Sequence, residues 1–206
     1  QLGTKTHWDS VYERELGNFA DHGDIGEVWF GEVPVVKMTE WIEDNLARRE
    51  AAVIDLGCGN GHFLFELSEL GYSTLHGVDY SPASIALAQK IHTTMHPGAS
   101  VTFATLDFMP FAPFANPPPA EYNTCFELAV DKGTFDAISL ASGLGDTAQD
   151  GAPMGMLLIT SCNWTEAELI EGFKEYFTFH SRKKYPTFKF GGVEGQQVVT
   201  VAFSKK

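Results

Sequence analysis

The 206-residue chain is short of basic residues, of cysteine and of long apolar runs. Its 14 Lys and Arg face 27 Asp and Glu, a formal net charge of −13. Phosphate contacts need a basic patch, so this balance argues against a nucleic-acid binder. It suits steering toward a basic protein partner, or it serves only to keep the chain soluble. The three cysteines, Cys58, Cys125 and Cys162, lie far apart and form no C-x-x-C pair. That argues against a disulfide framework or a zinc site and for buried thiols in a reducing, cytoplasmic compartment. His92 and His96 stand four apart with no further ligand motif, so they are expected on solvated surface and no metal site is expected. No stretch approaches the ~20 apolar residues of a membrane helix. The polar N-terminus carries no signal-peptide pattern. The length suits one domain with a full hydrophobic core.

What the chain does have is concentrated at residues 53–61, Val-Ile-Asp-Leu-Gly-Cys-Gly-Asn-Gly. A short apolar strand runs into Gly57, Gly59 and Gly61, and a helix follows with Leu64, Leu67 and Leu70 on one face. Strand, glycine turn and helix N-terminus make a nucleotide cradle, because glycine permits the turn and lets a ligand approach the main chain. The dinucleotide fingerprint G-x-G-x-x-G needs glycine where this chain has His62. Asp55, two residues before the first glycine, would repel a pyrophosphate. It suits the cationic, phosphate-free amino-acid end of S-adenosylmethionine. A second acid, Asp79, follows Gly57 by about 20 residues, the place of a carboxylate that holds ribose hydroxyls. A plain tight turn is the plainer alternative.

Trp8, Val11, Tyr12 and Leu16 predict a first amphipathic helix, and Val35, Met38, Ile42 and Leu46 a second. Between them, residues 17–32 read as a glycine-rich, acidic and aromatic loop. From Ala51 the chain alternates strand and helix. Strands are predicted at 51–56, 73–79, 100–106, 126–131 and 155–162, helices at 61–70, 81–92, about 134–142 and 165–177. Such alternation means a parallel sheet with helices on both faces, an α/β, Rossmann-like doubly wound fold. Residues 177–183 and 197–204 read as a terminal antiparallel pair. Residues 109–123, with five prolines, and the small, polar stretch 142–155 read as loops. The first suits a lid, a partner contact or an ordinary surface insertion.

Open α/β sheets bind ligands at the C-terminal ends of their strands. Those ends carry Asp55, Asp79-Tyr80, Asp107-Phe108, Asp131-Lys132 and Ser161-Cys162-Asn163-Trp164. Asp107 is placed to accept a bond from an adenine amino group, with the Phe108 N–H facing a ring nitrogen. Tyr80 or Phe108 is placed to pack on the adenine face, although ordinary core packing accounts for these aromatics as well.

VIDLGCGNG, Asp79, Leu106-Asp107-Phe108 and residues 131–138 together resemble the class I (seven-β-strand) S-adenosylmethionine-dependent methyltransferases. Trp8-Asp9-x-x-Tyr12, the segment Gly23 to Gly31 ending in Trp29-Phe30-Gly31, DKGTFDAISL at 131–140 and Thr160 to Thr165 are narrower. They resemble the protein-lysine methyltransferases that modify translation elongation factor 1-alpha, in their fungal and animal forms. The resemblance covers nearly the whole chain. The loops at 109–123 and 142–155 depart from it. It implies a seven-strand sheet ordered 3-2-1-4-5-7-6 with strand 7 antiparallel. It also implies a single methyltransferase domain over 1–206, with N-terminal helices and a lid loop at 1–47 and the Rossmann-like core at 48–206. S-adenosylmethionine is the implied cofactor, held by Asp55, Gly57, Gly59, Asn60, Asp79, Tyr80, Asp107, Phe108 and Asp131. An elongation-factor lysine is the implied acceptor, and the enzyme is expected to work as a monomer.

Methyl transfer to an amine is an in-line displacement in which positioning dominates. Trp29, Phe30 and Trp164 are expected to wall an apolar channel for the incoming lysine. Asp131 is expected to orient the amine, with a helix cap after Gly133 as the plainer role for it. Lys132 is expected to pair with an acid or cover a helix. The competing readings are a methyltransferase for another protein or a small molecule, a non-catalytic cofactor-binding module, and an NAD-dependent oxidoreductase. The intact glycines and strand-end acids weigh against the second, and His62 against the third.

Overall fold

A strand buried on both faces of a parallel sheet reads as a continuous apolar run. Residues 52–56 do so because alternate side chains enter different cores. Val53 joins Leu128, Val130 and Leu158 on one face, whereas Ile54 joins Ala129, Leu157 and Ile159 on the other. The computed structural model describes residues 2–107, 126–140, 154–186, 188–190, 193–195 and 198–206.

In chain order the elements are α1 (Lys5–His22), α2 (Glu32–Asn45), β1 (Ala52–Leu56), α3 (His62–Glu69), β2 (Thr74–Asp79), α4 (Pro82–Met95), β3 (Val101–Thr105) and β4 (Phe126–Lys132). They continue with α5 (Thr134–Ser139), β5 (Met154–Ser161), α6 (Glu166–Phe173), β6 (Phe177–Lys183), β7 (Phe188–Phe190), β8 (Val193–Gly195) and β9 (Val199–Lys205). The main sheet runs β3-β2-β1-β4-β5-β9-β6. Counted within that sheet alone, this is the expected order 3-2-1-4-5-7-6. β1 to β5 pair in parallel, and β9 runs antiparallel to both β5 and β6. The progression of strand order reverses between the parallel neighbours β1 and β4, the switch point at which such sheets open a crevice at the C-terminal ends of their strands.

The helices cover both faces. Trp8 and Tyr12 of α1, Met38 and Ile42 of α2, Leu64 of α3 and Leu87 of α4 share one core. Leu169 and Phe173 of α6 and Phe135 of α5 share the other. The helix starts follow local chemistry. Pro82 opens α4, where a missing N–H costs nothing. Thr165 and Glu168 cap α6 reciprocally. Trp41 Nε1 donates to Ser181 Oγ at 2.8 Å and ties α2 to β6.

Several local expectations change. α1 does not stop near Leu16 but continues through residues 17–22. Trp8, Tyr12, Glu15 and Phe19 keep one buried stripe at helical spacing, and the helix ends only at Gly23, whose φ of 72° accommodates the left-handed cap. α6 ends at Phe173, short of the predicted 177, and α5 at Ser139. Between the predicted terminal strands the chain also forms the small hairpin β7–β8. Cys162 is exposed, not buried, whereas Cys58 is buried. His92 and His96 are not simply solvated. His92 Nε2 lies 2.8 Å from the Ala99 carbonyl, and the His96 ring stacks on Phe65 with centroids 4.4 Å apart. Cys125, Phe108, the stretch 109–123 and most of 142–155 lie outside the described residues. Among the described residues, no helix is long and apolar enough to cross a membrane.

Leu158 is fully buried in the central strand β5. Leu158→Ala is expected to lower the unfolding free energy by about 2–5 kcal/mol, as cavity-forming core substitutions do. Urea denaturation measures this, and an unchanged midpoint would show that the site collapses without cost.

Candidate active site

The glycine turn is held from β2. The N–H groups of Gly57 and Cys58 both donate to the Val78 carbonyl, at 2.7 and 3.0 Å. The Asp79 carboxylate, buried at the end of β2, accepts from Gly59 N at 3.1 Å and from Ser81 N at 2.9 Å. Ser84 Oγ donates to the Gly59 carbonyl at 2.8 Å. Two of the glycines are required. A Cβ at Gly57 would stand 2.0 Å from Thr134 Oγ1 and one at Gly59 2.7 Å from the Tyr12 hydroxyl, and both have φ in the left-handed region.

A cavity of about 430 Å³ runs along this edge. Its wall takes residues from five strand ends in sheet order: Asp107 after β3, Asp79-Tyr80 at β2, Asp55 and Gly57 at β1, Lys132 and Gly133 at β4, and Asn163 after β5. α1 closes it with Lys5, Trp8 and Tyr12. Lys5 Nζ lies 5.2 Å from the centroid of the Tyr80 ring. Burial pushes the Asp55 carboxyl up to about 7, with Lys132 opposing and Asp79 adding to the shift. Burial also raises Asp79, against the bonds from Ser81 and Gly59.

Residues 23–31 form a strap over the cavity. Asn60 Nδ2 donates to the Ile25 carbonyl at 2.9 Å, and Lys132 Nζ to the Trp29 carbonyl at 3.0 Å. Trp29 packs edge-on against Trp8 at 4.9 Å. Phe30 adopts φ 67°, a conformation costing about 1–3 kcal/mol for a bulky residue. Its ring lies against Gly133, where a Cβ would meet it at 2.8 Å. Trp29 and Phe30 both line the cavity.

Two other expected residues stand elsewhere. Asp131 is buried but is not on the cavity wall. Its carboxylate accepts from Thr134 N at 3.1 Å and from Phe135 N at 3.0 Å, which caps α5. Burial raises it to about 7 against those bonds. This is the helix-cap role. Trp164 turns away from the cavity, packing on Phe135 at 5.5 Å and donating from Nε1 to Ser139 Oγ at 3.1 Å. Both departures have one cause: a strand-end position fixes where a residue stands, not which way its side chain turns.

Some wall residues carry little signal in the sequence. Tyr12 reads as core, and its spacing with Trp8 gives no sign that its hydroxyl reaches Gly59. Lys132 reads as a pairing or covering residue, yet it lines the cavity. Burial pulls its ammonium below the usual lysine range, against the pull of Asp55, Asp131 and Glu32. Asp136 accepts from Ser161 Oγ and from Cys162 N at 2.8 Å, and it reaches the cavity wall. Its place in the DKGTFD run is its only signal.

A carboxyl raised by burial holds its proton more tightly in the folded chain than in the unfolded one. Between 3.8 and about 7 the folded state therefore carries the extra protons of Asp55 and Asp131. Their contribution to stability falls as pH rises through that window. Asp55→Asn is expected to flatten the decline, read from urea unfolding across about pH 4 to about pH 8. Parallel curves for the two proteins would show that Asp55 is charged throughout.

A family profile described as a methyltransferase domain matches residues 47–199. The chain is 38% identical over 214 residues to EEF1A lysine methyltransferase 2 of Mus musculus, covering 100% of this chain and 84% of that protein. It is 41% identical over 229 residues to the protein-lysine N-methyltransferase efm4 of Schizosaccharomyces pombe, covering 98% of this chain and 93% of that protein. The magnesium protoporphyrin IX methyltransferase of Synechocystis PCC 6803, solved with bound SAM, matches with a TM-score of 0.57 over 95% of this chain and 97% of that one. At 16% identity, that likeness speaks for the fold alone. A fold shared at low identity and a sequence shared along its whole length lead to one conclusion: the chain belongs to the methyltransferase-domain family, alongside EEF1A lysine methyltransferase 2 and efm4.

Proposed function

We propose that the chain transfers the methyl group of S-adenosylmethionine to a lysine amine of translation elongation factor 1-alpha. The observation that carries this is identity of 38% and 41% with two proteins named for protein-lysine methylation, spanning nearly the whole chain and so both the cradle and the strap. Residues 1–206 are read as one methyltransferase domain, with 1–47 covering the core at 48–206.

The cavity fits the cofactor. Its volume of about 430 Å³ falls in the roughly 300–1,000 Å³ range of small-molecule sites. Gly57 and Gly59 let a ligand lie against the main chain. Each Asp79 oxygen receives one backbone N–H and keeps a lone pair for a ribose hydroxyl. Asp55 offers a buried carboxylate to a cationic amino group. Tyr80 and Asp107 stand at the end where the adenine ring would lie, and Phe108 is assigned there from its sequence position. When bound, S-adenosylmethionine supplies an electrophilic methyl group on a sulfonium.

The protein must bring a neutral amine to that methyl. A free lysine has a pKa of about 10.4, so at neutral pH almost all of it is charged. Trp29 and Phe30 form an apolar entrance that strips water and lowers that value. Asn60 and Lys132 hold the strap carrying these rings to the cradle, so both ends of the reaction share one frame. Asp131 acts through α5, fixing Gly133 and Thr134 on the wall.

The test is incubation of the purified chain with elongation factor 1-alpha and methyl-labelled cofactor, followed by mass spectrometry. Label on a lysine of the factor is expected. Label on another acceptor alone would reject the substrate and keep the chemistry. Cofactor binding carries its own signature. A cationic ligand beside Asp55 favours the carboxylate, so binding near the carboxyl's value of about 7 should release a proton. Calorimetry in buffers of different ionisation enthalpy reads that release, and Asp55→Asn should abolish it. Asp79→Ala should weaken binding at least tenfold, roughly the loss of one hydrogen bond to a charged group.

A further inference from the structure

With Asp131 committed to capping α5, the acceptor end of the cavity needs another group to hold the amine. The turn after β5 supplies one. Ser161 is buried, and its Oγ accepts from Asn163 N at 3.1 Å and from Trp164 N at 3.0 Å while donating to Asp136. Asp136 also takes the Cys162 N–H, and Trp164 Nε1 is tied to Ser139. The backbone of this turn is thus pinned from inside. Its Cys162 and Asn163 side chains are exposed, and both residues lie on the cavity wall. Phe30 lies on Gly133, whose N–H donates to the Thr160 carbonyl at 3.0 Å. The aromatic entrance and the Asn163 turn therefore flank the same pair of strand ends.

We infer that Asn163 orients the acceptor lysine, its side-chain oxygen accepting one N–H of the amine so that the nitrogen lone pair faces the methyl group. The inference rests on the proposed transfer to a protein lysine. That oxygen takes a long 3.6 Å contact from the Cys162 thiol and, as an amide oxygen, has a second lone pair. A neutral amide suits the task better than a carboxylate. A full negative charge would stabilise the ammonium and oppose its deprotonation, whereas an amide directs the nitrogen with little such penalty. The Lys132 ammonium, next to Gly133 on the same wall, favours the neutral amine by like-charge repulsion. In the step itself the amine proton leaves to water and the nitrogen lone pair forms the new N–C bond. S-adenosylmethionine, when bound, would supply that methyl group, with the electron pair of the broken S–C bond staying on its sulfur. No oxidant or further reactant is needed.

The test compares wild type, Asn163→Ala and Asn163→Asp. Each is assayed for kcat and KM on elongation factor 1-alpha, for cofactor Kd by calorimetry, and for its pH–rate profile. Asn163→Ala should lower kcat about tenfold to a hundredfold, with cofactor Kd within about twofold of wild type. Asn163→Asp should move the limb that rises with amine deprotonation to higher pH, because the new carboxylate favours the ammonium. A role confined to holding the turn would leave that limb in place. Retention of kcat by Asn163→Ala, a matching loss of cofactor affinity, or a profile of Asn163→Asp that overlays wild type would each overturn the assignment. Absence of transfer by wild type, with its cofactor affinity intact, would reject the acceptor and this inference with it. An active wild type leaves the variants to decide Asn163 alone.

Discussion

Three turns at the working edge of this sheet depend on aspartates that take up main-chain N–H groups. Strand ends leave donors pointing into a space that the covering helices close to water, and such donors need partners. Asp79 holds Gly59 and Ser81, Asp131 holds Thr134 and Phe135, and Asp136 holds Cys162. Each aspartate freezes one turn of the cavity wall. Burial alone would favour neutral carboxyls at Asp79 and Asp131, and the bonds they accept counter it.

This arrangement separates support from contact. Asp79 does both, since its oxygens hold the cradle and still face the cavity. Asp131 accepts main-chain bonds from α5 and does not line the cavity. Asp55 accepts none of those main-chain bonds and faces the cavity, where Lys132 is the cation opposing its charge. A buried carboxylate so placed is ready for a cationic ligand and costs the empty protein stability. The strap follows the same logic. Asn60 and Lys132 stand on the cradle and each donates a hydrogen bond to the segment that carries Trp29 and Phe30.

Much of this is legible in residues 53–61, because glycine at alternate positions after an apolar strand is what a tight turn beneath a close-lying ligand demands. The sheet order came from resemblance, and the alternation of strand and helix supported it. The acceptor side is harder to read. Asp131 and Trp164 stand at the expected strand ends, but the first turns back into its own helix and the second into the α6 core. Cys162 and Asn163 both reach the cavity wall from the same motif whereas Trp164 does not, and nothing in the sequence separates the three. The end of α1 is hidden for a related reason. Gly17-Asn18 looks like a breaker in sequence, yet the stripe from Trp8 to Phe19 buries enough apolar surface to carry the helix across it.

Two of the bonds that hold the strap end on main-chain carbonyls, those of Ile25 and Trp29. Its side chains take no part in either fastening. Mutation can therefore alter the shape and polarity of the entrance without removing these two bonds, provided that Asn60 and Lys132 stay. A fold fastened in this way can drift toward new protein substrates by exchanging a handful of residues in one segment, while the machinery that holds the methyl donor is inherited unchanged.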